Sequence, residues 1–283
     1  VMKKISSYIW DYKFSYLAAI ASLLIAVTLD MMGPRLMALV VDDVIVGGNI
    51  AELKYLLLGF LGVGIGRCLF QYAKEYTFDK NGIRISADMR RDLFRHVQGL
   101  SAEFFDRTNT GELMARVKED IDRIWDAIGY VGMLLIEVIY HTSIILISMY
   151  LLNWKLALLP TAAMLLCGTI ALLMERKLGQ VYEEISEENA KLNTVAEENL
   201  AGVRTVKAFA REKHEIGKFL SHNKRYYELN MQQSRVFVRY YPFFSVVSKV
   251  LPILTILVGG GFVIKGQMTL GQMTAFVEYS TNI

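Results

Sequence analysis

An all-α polytopic membrane domain is the fold class this sequence predicts, and three observations predict it. Hydrophobic residues make up 53% of the 283 positions against 21% charged, and mean hydropathy is +0.32. Six stretches are long or apolar enough to be read as membrane helices, and most charges gather in two blocks, residues 79–126 and 175–239. The apolar load excludes disorder, and a net charge of +3 is too small to advertise a nucleic-acid partner. Cys68 and Cys167 both lie inside apolar runs, so neither a disulfide framework nor a thiolate metal site can be built from them.

The opening residues KKISSYIWDYKF are too aromatic and too broken by charge for a cleaved apolar leader. Residues 1–13 read instead as an interfacial helix, with Ile5, Tyr8, Ile9 and Tyr12 at helical spacing and Trp10 suited to the headgroup layer. A bilayer core of about 30 Å needs roughly 20 apolar residues per helix. Candidate spans run over residues 14–41, 53–78, 128–152, 154–174 and 240–264, and a sixth begins near Leu270. From Leu270 to Ile283 a helix rises only about 21 Å, so this last span reads as incomplete, which favours a fragment over a separately encoded remainder.

Lysine and arginine fix the expected orientation, because cytoplasmic loops retain positive charge. The two charged blocks hold nearly all the cations between spans, whereas the other connections carry one each, Lys54, Lys155 and Lys265. The amino terminus and both long connections are therefore expected in the cytoplasm of a multi-pass plasma (inner) membrane protein. Neither block contains proline, and apolar residues recur at helical spacing: Ile83, Met89, Leu93 and Val97, then Leu113, Val117, Ile121 and Ile124, and in the second block Leu192, Val195, Val203 and Val206. Each block reads as a helical hairpin. A helix from about Leu53 to about Leu100 would be near 70 Å long, with roughly 40 Å beyond the membrane. The hairpin tips fall at SAEFFDRTNTGEL, where Asn109, Thr110 and Gly111 stop one helix and start another, and at AFAREKHE.

These tips carry a resemblance to the transmembrane domain of ATP-binding cassette exporters of the six-helix type. MRRDLFRHVQGLSAEFFDRTNTGELMARVKEDIDRI resembles that family's first intracellular loop and ENLAGVRTVKAFAREKHEIGKF its second. Pro34 with Asp42, and GQMTLGQMTAFVEY opening the last span, also fit, so that the likeness covers almost the whole chain. It implies a transporter half that pairs with a second copy or a similar chain, with coupling helices at about residues 102–108 and 208–215. Its second hairpin would cross to the partner's nucleotide-binding domain. The implied cargo is a hydrophobic or amphipathic small molecule, a lipid or a peptide. The departure from the family is the missing motor: no GxxxxGK[ST] phosphate loop occurs, so this chain is not expected to hydrolyse ATP, and ATP with Mg belongs to a nucleotide-binding domain outside it.

Leaving a tip aromatic in water forgoes roughly 1.5 to 3 kcal/mol of burial. Phe104 and Phe105 either pack back on their own hairpin or fill a groove on the motor, with Phe105 the better docking candidate, and Phe209 has the same two readings. Asp106, Arg107, Arg211, Glu212 and Glu215 would rim these contacts, or simply be solvated.

Within the spans, uniform helical rise places Glu137 and Lys249 about 14 Å, Arg67 about 10 Å, His141 about 20 Å and Glu278 about 18 Å from the cytoplasmic edge. They form a candidate polar layer lining a substrate cavity, with Phe276 and Met133, Tyr240, Tyr241, Phe243 and Phe244 as apolar neighbours. Glu137 paired with Lys249 or Arg67 could equally be an interhelical ion pair that fixes packing. Asp30 and Arg35 flank Pro34 at an expected kink. Gly62, Gly64, Gly66, Gly259, Gly260 and Gly261 read as sites of close helix contact.

Catalytic and metal constellations are not legible. HEIGK has Lys218 where a zinc helix needs its second histidine, and Glu183, Glu184, Glu187 and Glu188 fit a salt-bridged helix face better than a cation site. A secondary transporter, or a membrane scaffold docking a soluble partner, are the rival classes. The first would show broken helices in two repeated halves; the second would not need charges at mid-bilayer.

Overall fold

The computed structural model describes the backbone of residues 5–107 and 110–282; within these helices the side chains of residues 5, 106, 107, 110, 112, 115, 116 and 128 are outside the described set. The described elements are helical: α1 (Ile5–Asp11), α2 (Lys13–Asp30), α3 (Met32–Leu39), α4 (Ile50–Gln98), α5 (Ala102–Arg107), α6 (Thr110–Trp125), α7 (Gly132–Leu152), α8 (Trp154–Ala201), α9 (Val203–Ala208), α10 (Glu212–Ile264) and α11 (Leu270–Thr281). Two stretches wind more loosely as π-helix, Val40–Val46 after α3 and Asp126–Val131 before α7. Among the described residues, five helical segments are long and apolar enough to cross a membrane. The sixth expected span is α11, with 12 residues.

Three helices have lengths no ordinary span requires. α4 has 49 residues, α8 has 48 and α10 has 53, which at 1.5 Å per residue is about 72 to 80 Å. Each keeps going past its apolar stretch because no glycine-proline signal interrupts the amphipathic pattern that follows. Pro160, Pro242 and Pro252 sit inside helices that read as apolar there, where neighbouring backbone adjusts to the missing donor. Short polar caps make the tight turns at the other ends. Asn153 is extended, and its Oδ1 accepts from the backbone N–H of Lys155 and Leu156, both at 3.1 Å, which starts α8 one residue after α7 ends. Thr269 starts α11 with a reciprocal capping box to Gln272.

The chain divides into two compact units. The first comprises residues 1–157 and 256–282 and holds three apolar clusters. One packs Met31, Ile145, Met149, Leu156, Phe276 and Tyr279; a second packs Ala19, Leu23, Val27, Phe78 and Met133; a third packs Tyr8, Ile85, Met89 and Ile121 where α1 and α6 meet the extension of α4. The break between α2 and α3 at Met31 precedes Pro34, as expected of a proline that cannot continue the donor ladder. The Tyr279 hydroxyl donates to the Met31 carbonyl at 3.0 Å, tying α11 to this break. The second unit, residues 158–255, is the α8–α9–α10 hairpin. Its partners run in opposite order along the two long helices: Lys218 with Glu198, His222 with Glu188, Arg225 with Glu184 and Gln233 with Tyr182.

Candidate functional site

The polar groups of the first unit's spans are paired differently from the expectation. Within this unit Glu137 is not paired with Arg67: its Oε2 accepts from Lys74 Nζ at 2.9 Å. Lys74 is only 1% exposed and also meets Glu75 Oε1 at 3.1 Å, which in turn accepts from Gln71 Nε2. Burying an ammonium without partners is costly, and here two carboxylates lie against it. The π-helical stretch before α7 explains the different register, since an extra residue per turn shortens the axial advance and leaves Glu137 nearer the hairpin end than uniform rise implies. Arg67, two turns away on α4, pairs with Asp30 at 2.5 Å, so Asp30 bridges helices rather than only flanking a kink. His141 is half-buried one turn beyond Glu137, and Glu278 is exposed on α11. Phe276 is fully buried and Met133 nearly so, both within apolar clusters where they pack rather than face a cavity. Lys249 belongs to the second unit and is exposed on α10.

At the opposite end of the spans, Asp42 joins the first span to α11. Its Oδ1 accepts from the Gly271 N–H at 2.7 Å and its Oδ2 from the Thr269 hydroxyl at 2.6 Å, so one carboxylate meets two donors in the first turn of α11. The fit admits no side chain at Gly271, where a Cβ would lie 2.2 Å from the Ala38 carbonyl oxygen. The sequence pattern flagged Asp42 without its partner, because the two are 229 residues apart.

Beyond the spans, α4 and α6 form the first hairpin. Ile85, Met89, Ile121 and Ile124 close its core, Arg90 pairs with Asp122, and the Trp125 indole lies where Gly82 leaves room; a Cβ on Gly82 would fall 1.9 Å from Trp125 Nε1. The expected interfacial helix α1 turns its Tyr8, Ile9 and Tyr12 face onto this hairpin instead of outward. Tyr8 donates to Asp92 at 3.0 Å and Tyr12 to Asp88 at 2.7 Å, while Arg91 pairs with Asp88 at 2.9 Å. The bond from Tyr8 holds the Asp92 carboxyl below its usual range; burial foremost, then Asp92, pushes the Tyr8 phenol up, and the bond to Asp88 does the same to Tyr12.

The tips are α5 and α9. α5 occupies Ala102–Arg107, where the first coupling helix was expected, and its Phe104 and Phe105 pack edge to face on one another, 5.7 Å between centroids and half-buried. The side chains of Asp106 and Arg107, like all of Thr108 and Asn109, lie outside the described residues. In the second hairpin the short helix is Val203–Ala208, a turn before the expected residues 208–215, and Phe209, Ala210 and Arg211 make the corner into α10. The Arg211 N–H closes that corner on the Val206 carbonyl, Ala210 takes a positive φ of 52°, and Phe209 is left 74% exposed. Behind it a groove of about 440 Å³ is lined by Leu200, Val203, Val206, Ile216, Phe219 and Leu220, with Glu212 and Glu215 among its polar members. Further along the hairpin, the acidic face is salt-bridged as expected, but Glu188 is buried, 2.6 Å from His222 Nδ1, and that bond holds its carboxyl below the usual range.

Residues 16–283 match the family model for the ABC transporter transmembrane region. The chain is similar to the ATP-dependent lipid A-core flippase of Desulfotalea psychrophila, 25% identical over 98% of this chain and 48% of the relative. It is similar also to the multidrug resistance-like ATP-binding protein MdlA of Escherichia coli, at 26% over 93% and 45%, and to the ABC-type oligopeptide transporter ABCB9 of Mus musculus, at 24% over 98% and 36%. The chain thus spans about half or less of the length of these relatives. The match covers nearly every residue from α2 onward, on a multi-pass helical scaffold with two long hairpins: the chain belongs to the ABC transporter transmembrane region family.

Proposed function

We propose that this chain is the membrane-spanning substrate pathway of an ATP-driven exporter, moving a hydrophobic or amphipathic small molecule, a lipid or a peptide. The observation that carries the reading is the second hairpin tip, where Phe209 stands in solvent beside an apolar groove at the end of helices far longer than a membrane requires. Exposed apolar surface held on rigid levers is a docking face for a soluble body. That body is a nucleotide-binding domain, on which ATP and Mg²⁺ reside; the GxxxxGK[ST] cradle for a triphosphate is absent from these 283 residues. The hairpins face the cytoplasm, in keeping with their lysines and arginines. α5 and α9 serve as coupling helices, with Phe104, Phe105, Asp106, Arg107, Phe209, Arg211, Glu212 and Glu215 at the contact.

A second copy or a similar chain completes the pathway. None of the apolar window of α4 is buried, which leaves a long lipid-height face for a neighbouring helix. Movement of the docked motors tilts the hairpins as levers, and the cavity alternates between openings to the two sides because the cargo binds one state better. Arg67, Glu137, His141, Lys249 and Glu278 supply the polarity near the pathway.

ATP-dependent uptake into inverted vesicles carrying the intact transporter tests the proposal. Phe209→Ala is expected to weaken docking by about 10- to 100-fold, the loss of one buried aromatic, and to lower transport per ATP hydrolysed. Phe105→Ala is expected to act in the same direction. Full coupling in both variants, or uptake driven by an ion gradient without ATP, refutes it.

A further inference from the structure

The junction of α1 and α2 presents two unlike faces. One is pinned to α4 by three side-chain bonds in succession: Tyr8 to Asp92, Tyr12 to Asp88, and Ser15 to Asn81 at 2.8 Å. The other bears Trp10, Phe14 and Leu17 at positions i, i+4 and i+7, exposed by 68, 78 and 68%. Between the rings stands the Lys13 ammonium, 4.9 Å from the centroid of Trp10 and 5.3 Å from that of Phe14. It forms no pair with a carboxylate among the described residues.

Two observations identify what covers this stripe. It is continuous with α2, an apolar segment long enough to cross a membrane, and Lys13 is that helix's first residue, so the stripe straddles the boundary between headgroups and acyl chains. Its centre is a cation whose donors are not used by acids among the described residues, set between two ring faces. Phe14 and Leu17 suit the acyl side, Trp10 the interface, and Lys13 a phosphate. The geometry points to a binding surface for the headgroup of an anionic phospholipid at Trp10, Lys13 and Phe14.

The surface is mechanically linked to the first hairpin. The same short helix that meets the headgroup hangs from Asp92 and Asp88 on the extension of α4, so a bound anionic lipid fixes where that lever leaves the membrane. This consequence rests on the exporter reading; lipid binding itself does not.

Brominated lipids separate the two. The intact protein is reconstituted into vesicles containing a tenth of brominated phosphatidylglycerol, or brominated phosphatidylcholine, in a phosphatidylcholine background. The Trp10 signal is taken as the difference between the native chain and Trp10→Phe, since Trp125 and Trp154 also emit. One lysine near a surface is worth about 1 kcal/mol toward an anionic lipid, so phosphatidylglycerol should gather at Trp10 about fivefold over phosphatidylcholine. Lys13→Arg should keep that enrichment, Lys13→Gln should abolish it, and raising the salt should diminish it. Equal quenching by the two lipids, or a preference that survives Lys13→Gln, overturns the proposal. ATP-driven uptake measured in the same vesicles reports separately on the exporter reading.

Discussion

The two hairpins both combine buried apolar residues with ion pairs, and they differ in where those are placed. In the first, four large apolar side chains, a tryptophan seated on a glycine, and the N-terminal helix close a small core at one place. In the second, Leu178, Val181, Val195 and Leu229 are buried along α8 and α10 beside a row of polar and ionic pairs, and a further apolar set lines an open groove at the tip. The first gathers its ion pairs around the joint with the N-terminal helix, at Asp88, Asp92 and Asp122. The second spreads its pairs along the helices, and the apolar surface at its tip remains unspent. A lever meant to dock something keeps part of its apolar surface open at the tip; one meant to be braced gathers it around the brace.

The comparison can be broken most sharply at Ile121. Ile121→Ala should cost the first hairpin about 3 kcal/mol, read as lost amide-exchange protection in α6 and the facing part of α4, with α8 and α10 unaffected. Gly82→Ala follows at about 2 kcal/mol, because the new methyl group collides with the Trp125 indole; a second change, Trp125→Leu, should recover part of it, whereas additive losses would separate the two residues. Acid sharpens the contrast on the other side. Glu188 is held below its ordinary carboxyl value of 4.5, so its bond to His222 contributes fully above that value and is lost as pH falls through the lower folded value. Exchange in the middle of the second hairpin should rise over that range, and Glu188→Gln should flatten the rise. Arg225→Ala removes an exposed pair with Glu184 and should change stability by no more than about 0.5 kcal/mol; a larger loss would mean the charge row acts as a network.

The spans, the hairpins and the helix lengths were legible because they rest on composition and period, which are local. α4 ends at Gln98, within two residues of the expected Leu100, and α5 lies where the first tip was read. Pairing was not legible. Lys74 looks like one cation among many at the end of an apolar run, and nothing local in the sequence ties it to Glu137, 63 residues away. The helical spacing of Tyr8, Ile9 and Tyr12 marks residues 1–13 as an interfacial helix, but spacing alone does not say whether lipid or protein covers that face; the phenols bond to Asp92 and Asp88. In the second hairpin the short helix Val203–Ala208 precedes the expected tip residues 208–215, and the break at Gly202 leaves little trace in the sequence.

Asp42 and Gly271 are separated by 229 residues, and that interval is also a delay. At synthesis rates of about 5 to 20 residues per second, the carboxylate is made roughly 10 to 45 s before the amide it will hold. Throughout that time the acid at this end of the first span is without the partner it will hold. The clasp therefore closes only once α11 has been made, and a defect there would leave a chain that is inserted and threaded yet never sealed.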